Sequence, residues 1–332
     1  MYCNSCMTQI PKDQVTYCEQ CQVPLHIKCA NHCTVCGKTL CDTCYAENNF
    51  KCEECGTPEE DISIIRRSFL EQYAGCPHSL KLQLLEGIEP PMGGAAQLGV
   101  IVHELIDRIS HDSSLELEAI KGELEGKVMD WNMNTDEEYS IITDELLNTG
   151  FECLDSFWMI KDSFNSEFVS EHKIKFSIDD DLPMVSCTLD RINFVGDDII
   201  ICDWKTGKPM SGQKLITDLQ PALYIYAVLS EYGKLPKSFN LFYLKHEKVI
   251  TYTLTGDMEY TVKTSRSEYK LDVKDALQRT KKILKGIKEG RFNKTGDTWR
   301  CSKLCWFGLS GKCSYGLQEQ WKDISDGYDM AC

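Results

Sequence analysis

The stretch "IICDWKTGK", Ile200 to Lys208, decides how this chain is read. An apolar run, "DDIIICDWK", ends on an aspartate and a lysine two residues apart and then breaks at Gly207. Residues two apart on a strand share a face, so Asp203 and Lys205 point the same way, after Ile199 and Ile201. The run upstream, "MVSCTLDRINFV", reads as a strand able to pair with this one and carries Asp190. Two carboxylates and a lysine then meet at one edge of a sheet. Hard divalent ions such as Mg²⁺ take oxygen ligands, commonly a few carboxylates plus substrate phosphate. A bound cation lowers the pKa of water, and a neighbouring ammonium stabilises the charge that develops on phosphorus.

Outward from this pair the pattern is a mixed α/β sheet. "EFVSEHKIKFSI" alternates, with Val169, Glu171, Lys173 and Lys175 on one face, so three strands form a meander. A helix follows over "KLITDLQPALYIYAVLSEY", then strands "SFNLFYLKH" and "KVITYTLT", then a helix from about Glu268 to Glu289. Upstream, "ISIIRRSFLEQYAGCPHSLKLQLL" reads as a helical pair broken at Gly75-Cys76-Pro77. "AAQLGVIVHELIDRIS" has an apolar stripe at 98, 101, 102, 105, 106 and 109, with His103 off its middle. A chain of 332 residues has room for two or three domains.

The nineteen cysteines are too many for background, and eleven lie before residue 56. In a reducing compartment that argues for metal. Six pairs recur: Cys3/Cys6, Cys18/Cys21, His26/Cys29, Cys33/Cys36, Cys41/Cys44 and Cys52/Cys55. Four ligands per tetrahedral site give about three zinc ions. So short a stretch has too little apolar surface to fold alone, so metal supplies the folding energy. No run is long or apolar enough to span a bilayer and no signal segment opens the chain, so a cytoplasmic location is expected (host cytoplasm if viral), with no membrane partner.

The net charge is −15, yet unevenly spread. Residues 112–155 hold 13 acids and 2 lysines, while residues 234–300 hold 16 basic and 8 acidic residues. Lys274, Lys281, Lys285 and Lys288 fall on one face of the last helix, either a solvated face or a surface tracking a nucleic-acid backbone.

"SCTLDRINF" followed by "IICDWKTGK" resembles motifs II and III of the PD-(D/E)XK nucleases, in their RecB-like branch. "LGVIVHELID" is similar to the upstream histidine motif of that branch, and "LQPALYIYA" to its downstream glutamine and tyrosine. Each motif alone is weak; their order is not. The resemblance implies a restriction-endonuclease-like core, with His103, Asp190, Asp203 and the Trp204 carbonyl as ligands for Mg²⁺ or Mn²⁺. It gives Lys205 the positioning of the attacking water, and Gln220 and Tyr224 the orienting of Lys205 or a phosphate. Glu171 falls where many members carry a glutamate. In iron–sulfur members, one cysteine before the histidine motif and three after the core hold a [4Fe–4S] cluster; here these would be Cys76, Cys301, Cys305 and Cys313. Zinc, or reduced thiols, are the alternatives there. Cys153, Cys187, Cys202 and Cys332 read as core or terminal thiols.

The first fifty residues resemble RING and PHD cross-brace fingers, in which alternate pairs share a metal. Such a finger recruits a ubiquitin-conjugating enzyme, binds a peptide, touches DNA or braces its neighbour, and fold alone does not choose. The expected organisation is a zinc module over 1–60 and a nuclease domain over 61–332, with a helical insert at about 112–163 and a cysteine staple at 301–313. The resulting expectation is a metal-dependent DNA nuclease acting on single strands or duplex ends in recombination, repair or phage replication. Its zinc module would meet a helicase or a recombination or replication protein. The competing readings are a zinc-finger adaptor or ubiquitin-ligase-like protein with an inactive, DNA-binding nuclease fold, and an inactivated nuclease within a helicase complex. The intact Asp190, Asp203 and Lys205 set argues against the first of these, since a pure scaffold has no need of it.

Overall fold

The computed structural model describes residues 2–3, 8–19, 21–32, 39–47, 62–135, 138–265, 267–294 and 298–313. In the N-terminal module, β1 (Val15–Tyr17) pairs with β2 (Pro24–His26), β3 (Asn31–His32) with β4 (Thr39–Leu40), and α1 (Asp42–Glu47) follows. Elements this short hold few backbone hydrogen bonds, as expected where metal supplies the folding energy.

The elements that follow are β5 (Ile64–Arg66), α2 (Arg67–Gly75), α3 (Pro77–Leu84), α4 (Gly94–His111), α5 (Leu117–Met133) and α6 (Asp144–Ile160). Then come β6 (Glu167–Phe176), β7 (Met184–Val195), β8 (Asp198–Lys205), α7 (Lys214–Thr217), α8 (Leu219–Tyr232), β9 (Ser238–Tyr243) and β10 (Lys248–Gly256). The last are β11 (Glu259–Lys263), β12 (Glu268–Asp272), α9 (Val273–Lys288), α10 (Thr298–Lys303) and α11 (Trp306–Leu309). Among the described residues the strands form one eight-stranded mixed sheet, β12-β11-β10-β9-β8-β7-β5, with β6 also on β7.

The central strand β8 is buried on both faces, which is why it reads as a continuous apolar run. Ile199 and Ile201 enter the core formed with α8, α9 and α2. Cys202 and Trp204 enter a second core formed with α4, α5 and α6. The expected mixed α/β, restriction-endonuclease-like architecture is present, and the acidic block is helical, with Ile120, Leu124, Val128, Leu154 and Phe157 turned inward. Burying each such side chain contributes about 1.5–3 kcal/mol.

Three strands depart from expectation. Glu268–Asp272 is β12, so α9 begins at Val273 rather than near Glu268; Asp272 caps it by accepting from the Asp275 N–H at 3.2 Å. Glu259–Lys263 adds β11, making β9 to β12 a four-strand meander. Ile64–Arg66, read as the start of a helix, is β5, parallel to β7 through Ile64↔Met184.

Candidate active site

A fork between two strands builds the site. β6 covers one edge of β7 along its whole length, from Glu167↔Phe194 to Phe176↔Val185. β5 and β8 therefore share the other edge: β5 pairs at 184–186, and β8 from Arg191↔Cys202 to Val195↔Asp198. Residues 187–190 of β7 lie in the gap between them. Beyond Cys202, β8 leaves β7 but still pairs with β9, through Asp203↔Leu241 and Lys205↔Tyr243. The Trp204 N–H, freed at the fork, donates to Asp190 Oδ2 at 2.7 Å. Asp190 is thus fixed by the backbone of the strand that carries Asp203.

α4 brings His103 to this point, with Nδ1 3.5 Å from Asp190 Oδ2. β6 brings Glu171, which the register sets opposite Asp190. Glu171 has φ +46, the left-handed region, and the apolar alternation of both strands slips by one residue there. A bulky residue pays for that conformation only where neighbours enforce it. One ligand atom each from His103, Glu171 and Asp190 lie within 4.8 Å of one another. Glu171 therefore joins His103 and Asp190 more directly than its motif position implied.

Asp203 is 1% exposed. Its Oδ1 accepts from Gln220 Nε2 at 2.7 Å, and its Oδ2 lies 2.7 Å from Lys205 Nζ. Lys205 Nζ in turn donates to Gln220 Oε1 at 2.9 Å. Gln220 reaches both because Asp218 caps α8, accepting from the Gln220 N–H at 2.9 Å. Tyr224, one turn further along α8, is buried, and the Arg67 guanidinium sits 5.8 Å from its ring centre. Arg67 pairs with Glu71 at 2.6 Å; the sequence gives Glu71 no role, because an i,i+4 pair on a helix is ordinary.

Burial works against the charge on His103, but the Asp190 carboxylate outweighs it and holds the imidazole up at about 9. Burial raises Asp190 as well, and the His103 charge overcomes it, so Asp190 lies below the usual range. Asp203 is pushed up to about 6 by burial and by the Asp190 charge. Burial, then Asp190, also raises Glu171. Lys205 is raised: burial opposes its charge but Asp203 more than compensates. Three carboxylates, Glu171, Asp190 and Asp203, thus face two cationic groups, His103 and Lys205.

That surplus of negative charge, together with Asp203 Oδ2, buried beside the Lys205 ammonium without a well-formed hydrogen bond, fits a hard divalent ion. Asp107, one helical turn beyond His103, also holds a buried Oδ1 without a hydrogen bond. The Trp204 ring lies in the core, edge-on to Phe157 at 5.1 Å. Arg191, without an assigned role in the sequence, is a structural pin: Nε donates to Asn193 Oδ1 at 2.8 Å and the guanidinium lies 3.5 Å from the Phe168 ring centre.

Cys76, Cys301, Cys305 and Cys313 line one cavity together with Leu82, Phe307 and His78. Four thiols around one pocket are the donor set a thiolate-bound cluster takes, although their sulfurs do not meet within 4.8 Å as those of Cys18, Cys21, Cys41 and Cys44 do. His78 went unnoticed in the sequence; burial and then the Lys294 charge push it down to about 4. Cys153, Cys187 and Cys202 are core thiols, as expected, pushed up to about 11, 12 and 12 by burial.

In the N-terminal module, Cys18, Cys21, Cys41 and Cys44 form a four-sulfur group with all Sγ atoms within 4.8 Å. Alternate pairing as in a cross-brace would join Cys18/Cys21 to Cys33/Cys36; the group found joins them to Cys41/Cys44. Cys3 meets His26, whose backbone N–H donates to Cys3 Sγ at 3.2 Å, so these members of the first and third pairs do come together. The His26 Nδ1 accepts from Lys28, leaving Nε2 for a ligand. Cys29 is not part of this four-sulfur group, and Cys6, which the cross-brace plan sets with Cys3, His26 and Cys29, lies outside the described residues. Cys29 ends a single 3-10 turn, Ile27–Cys29, half-buried against the apolar cluster that holds Cys3, Cys18 and Leu25. Cys6, Cys33, Cys36, Cys52 and Cys55 lie outside the described residues.

Of the four lysines on one face of α9, three pair with acids of the chain, and the fourth bonds a backbone carbonyl. Lys274 pairs with Asp257 at 2.6 Å, Lys281 with Asp179 at 3.0 Å, and Lys285 with Glu289 at 3.7 Å. Lys288 donates to the Asp181 carbonyl at 2.5 Å. Three of these four partners come from loops and turns distant in sequence, which a helix-face projection does not register.

A restriction-endonuclease-like sheet with a carboxylate–lysine site at a strand fork is a nuclease fold. A family model of the PD-(D/E)XK nuclease superfamily matches residues 67–315, three quarters of the chain. The chain belongs to that superfamily. Among solved structures it is similar to the crystal structure of SSO0001, at 13% identity and TM-score 0.36, covering 77% of this chain and 88% of that one. A likeness that distant adds nothing to the family match. A comparison with the curated proteins finds no match. Among the described residues, no helix is long and apolar enough to cross a membrane.

Proposed function

We propose that this chain is a Mg²⁺- or Mn²⁺-dependent deoxyribonuclease of the RecB-like branch, trimming single strands or duplex ends during recombination, repair or phage replication. The observation that supports this best is the closed network Asp203–Lys205–Gln220 beside the His103, Glu171 and Asp190 donors. In the reaction, a water oxygen bonds to phosphorus, a P–O bond breaks and the leaving oxygen takes up a proton. His103, Asp190, Asp203 and Glu171, with the Trp204 carbonyl, would hold the ion, which supplies Lewis-acid activation of phosphate and water when bound. Lys205 Nζ is a fixed cation, held by Gln220 and Asp203 where negative charge develops on phosphorus. Gln220 fixes the Lys205 rotamer, and Tyr224 with Arg67 closes the pocket below it.

Cys76, Cys301, Cys305 and Cys313 are proposed to hold a [4Fe–4S] cluster that ties α3 to the chain's end. The N-terminal cysteines are proposed to bind about three zinc ions. That module packs on α3, the Lys81 ammonium lying 4.4 Å from the Tyr45 ring centre, which favours a bracing role, with a helicase or recombination protein as its partner. The test is Asp203→Ala, assayed for cleavage and DNA binding side by side. Lost cleavage with binding kept is expected; full cleavage by this variant refutes the assignment.

A further inference from the structure

A second cavity opens beside the cysteine pocket. Its volume is about 460 Å³, and Cys76, Cys301 and Cys305 form the wall that the two cavities share. The rest of the lining includes Trp299, Arg300, Leu304, Trp306 and Pro90. Trp299 and Leu304 are each 63% exposed. Single exposed apolar residues are ordinary, but two of them beside a half-buried tryptophan and an arginine on one concave surface are not. A volume of this size falls in the range of clefts that take small planar groups.

We propose that this cavity is a base-stacking subsite that takes a nucleobase of a single DNA strand. The inference rests on the nuclease function proposed above and deepens it. Indole rings and guanidinium planes stack on any base, because every base presents a π-face. The local charge suits the phosphates. Residues 291–313 carry five basic side chains (Arg291, Lys294, Arg300, Lys303, Lys312) and one acid, Asp297, in a chain whose net charge is −15. A strand is therefore drawn here by charge and held by stacking.

The position suits a substrate of the fork. α2 runs from Arg67, over the Tyr224 ring, to Gly75, against which the Arg300 guanidinium packs. That path is about 12 Å at 1.5 Å per residue. A strand lying across the carboxylates thus passes within a few nucleotides of the cavity. A Cβ at Gly75 would meet only the mobile end of the Arg300 side chain, so the contact marks where the guanidinium lies.

The experiment measures binding of a fluorescein-labelled oligothymidylate by anisotropy, in an Asp203→Ala background that leaves the strand uncut. Trp299→Ala is compared with Trp299→Phe, and the oligothymidylate with an abasic strand of equal length. Trp299→Ala should weaken oligothymidylate binding by about 5- to 100-fold, the value of one stacked base, and Trp299→Phe should restore most of it. Neither substitution should change binding of the abasic strand. Photocrosslinking with 5-iododeoxyuridine should map to Trp299 or Trp306. Trp299 is mostly exposed, so an unchanged thermal transition is expected and confirms folding. Equal weakening on natural and abasic strands, or no weakening at all, overturns the subsite. If the chain with Asp203 intact still cleaves DNA, the nuclease reading survives that outcome. A chain that neither binds nor cleaves DNA overturns both.

Discussion

Replacing Gln220 with leucine tests the network that positions Lys205. Leucine keeps most of the volume and removes both polar atoms, so the change isolates two hydrogen bonds rather than opening a cavity. Each bond involves a charged partner, at 2.7 Å to Asp203 and 2.9 Å to Lys205, and such bonds contribute about 1.5–3 kcal/mol each. Their losses differ in kind. The Lys205 side chain is 28% exposed, so water replaces its partner. The Asp203 side chain is 2% exposed, so its Oδ1 is left buried with nothing in place of the amide. Net destabilisation should therefore match one irreplaceable bond, about 1.5–3 kcal/mol. For a domain of this size that is about 3–12 °C in Tm. Cleavage should fall at least about tenfold, since Lys205 loses one of its two anchors and each ~1.4 kcal/mol of transition-state stabilisation is a factor of ten. Differential scanning fluorimetry and initial cleavage rates at saturating DNA are the assays. A variant within about 0.5 kcal/mol of the parent and of equal turnover would show that the bridge does not position Lys205.

Two further substitutions probe the cysteine sites. Cys44→Ser should lower bound zinc by one ion per chain, measured by elemental analysis, whereas unchanged zinc would remove Cys44 from the ligand set. Gly308→Ala should destabilise the C-terminal region by about 1–3 kcal/mol, because its Cβ would overlap the Cys301 carbonyl and push α11 off α10. Visible absorbance of anaerobically purified protein should fall with it, while zinc is retained; absorbance and Tm equal to the parent's would contradict the close approach.

The sequence carried the centre of the sheet more clearly than its edges. β7 and β8 are long, apolar and buried on at least one face, so their period and their aspartates were visible together. β12, "EYKLD", is five residues of an edge strand with one buried side chain, and it runs straight into an amphipathic helix, so its period-2 signal was absorbed into the helix. β5 has three residues and owes its identity to pairing with β7, a contact between positions more than a hundred residues apart. In the site, motif order placed His103, Asp190, Asp203, Lys205 and Gln220 on the right elements. What stayed hidden depends on tertiary geometry: the left-handed turn at Glu171, the fork that frees the Trp204 N–H, and the distant acids that pair with Lys274 and Lys281. The meeting of Cys18 and Cys21 with Cys41 and Cys44 was hidden for the same reason. Equal Cys-x2-Cys spacings carry no information about which pairs meet.

Cleavage of end-labelled single- and double-stranded DNA by the unsubstituted chain, with and without Mg²⁺ or Mn²⁺, tests the nuclease assignment most directly. The predicted result is shortening of the labelled strand with either ion, complete loss of activity when the ion is withheld, and no activity in Asp190→Ala or Lys205→Ala. Intact DNA under all metal conditions, from folded protein that retains its zinc, would contradict it.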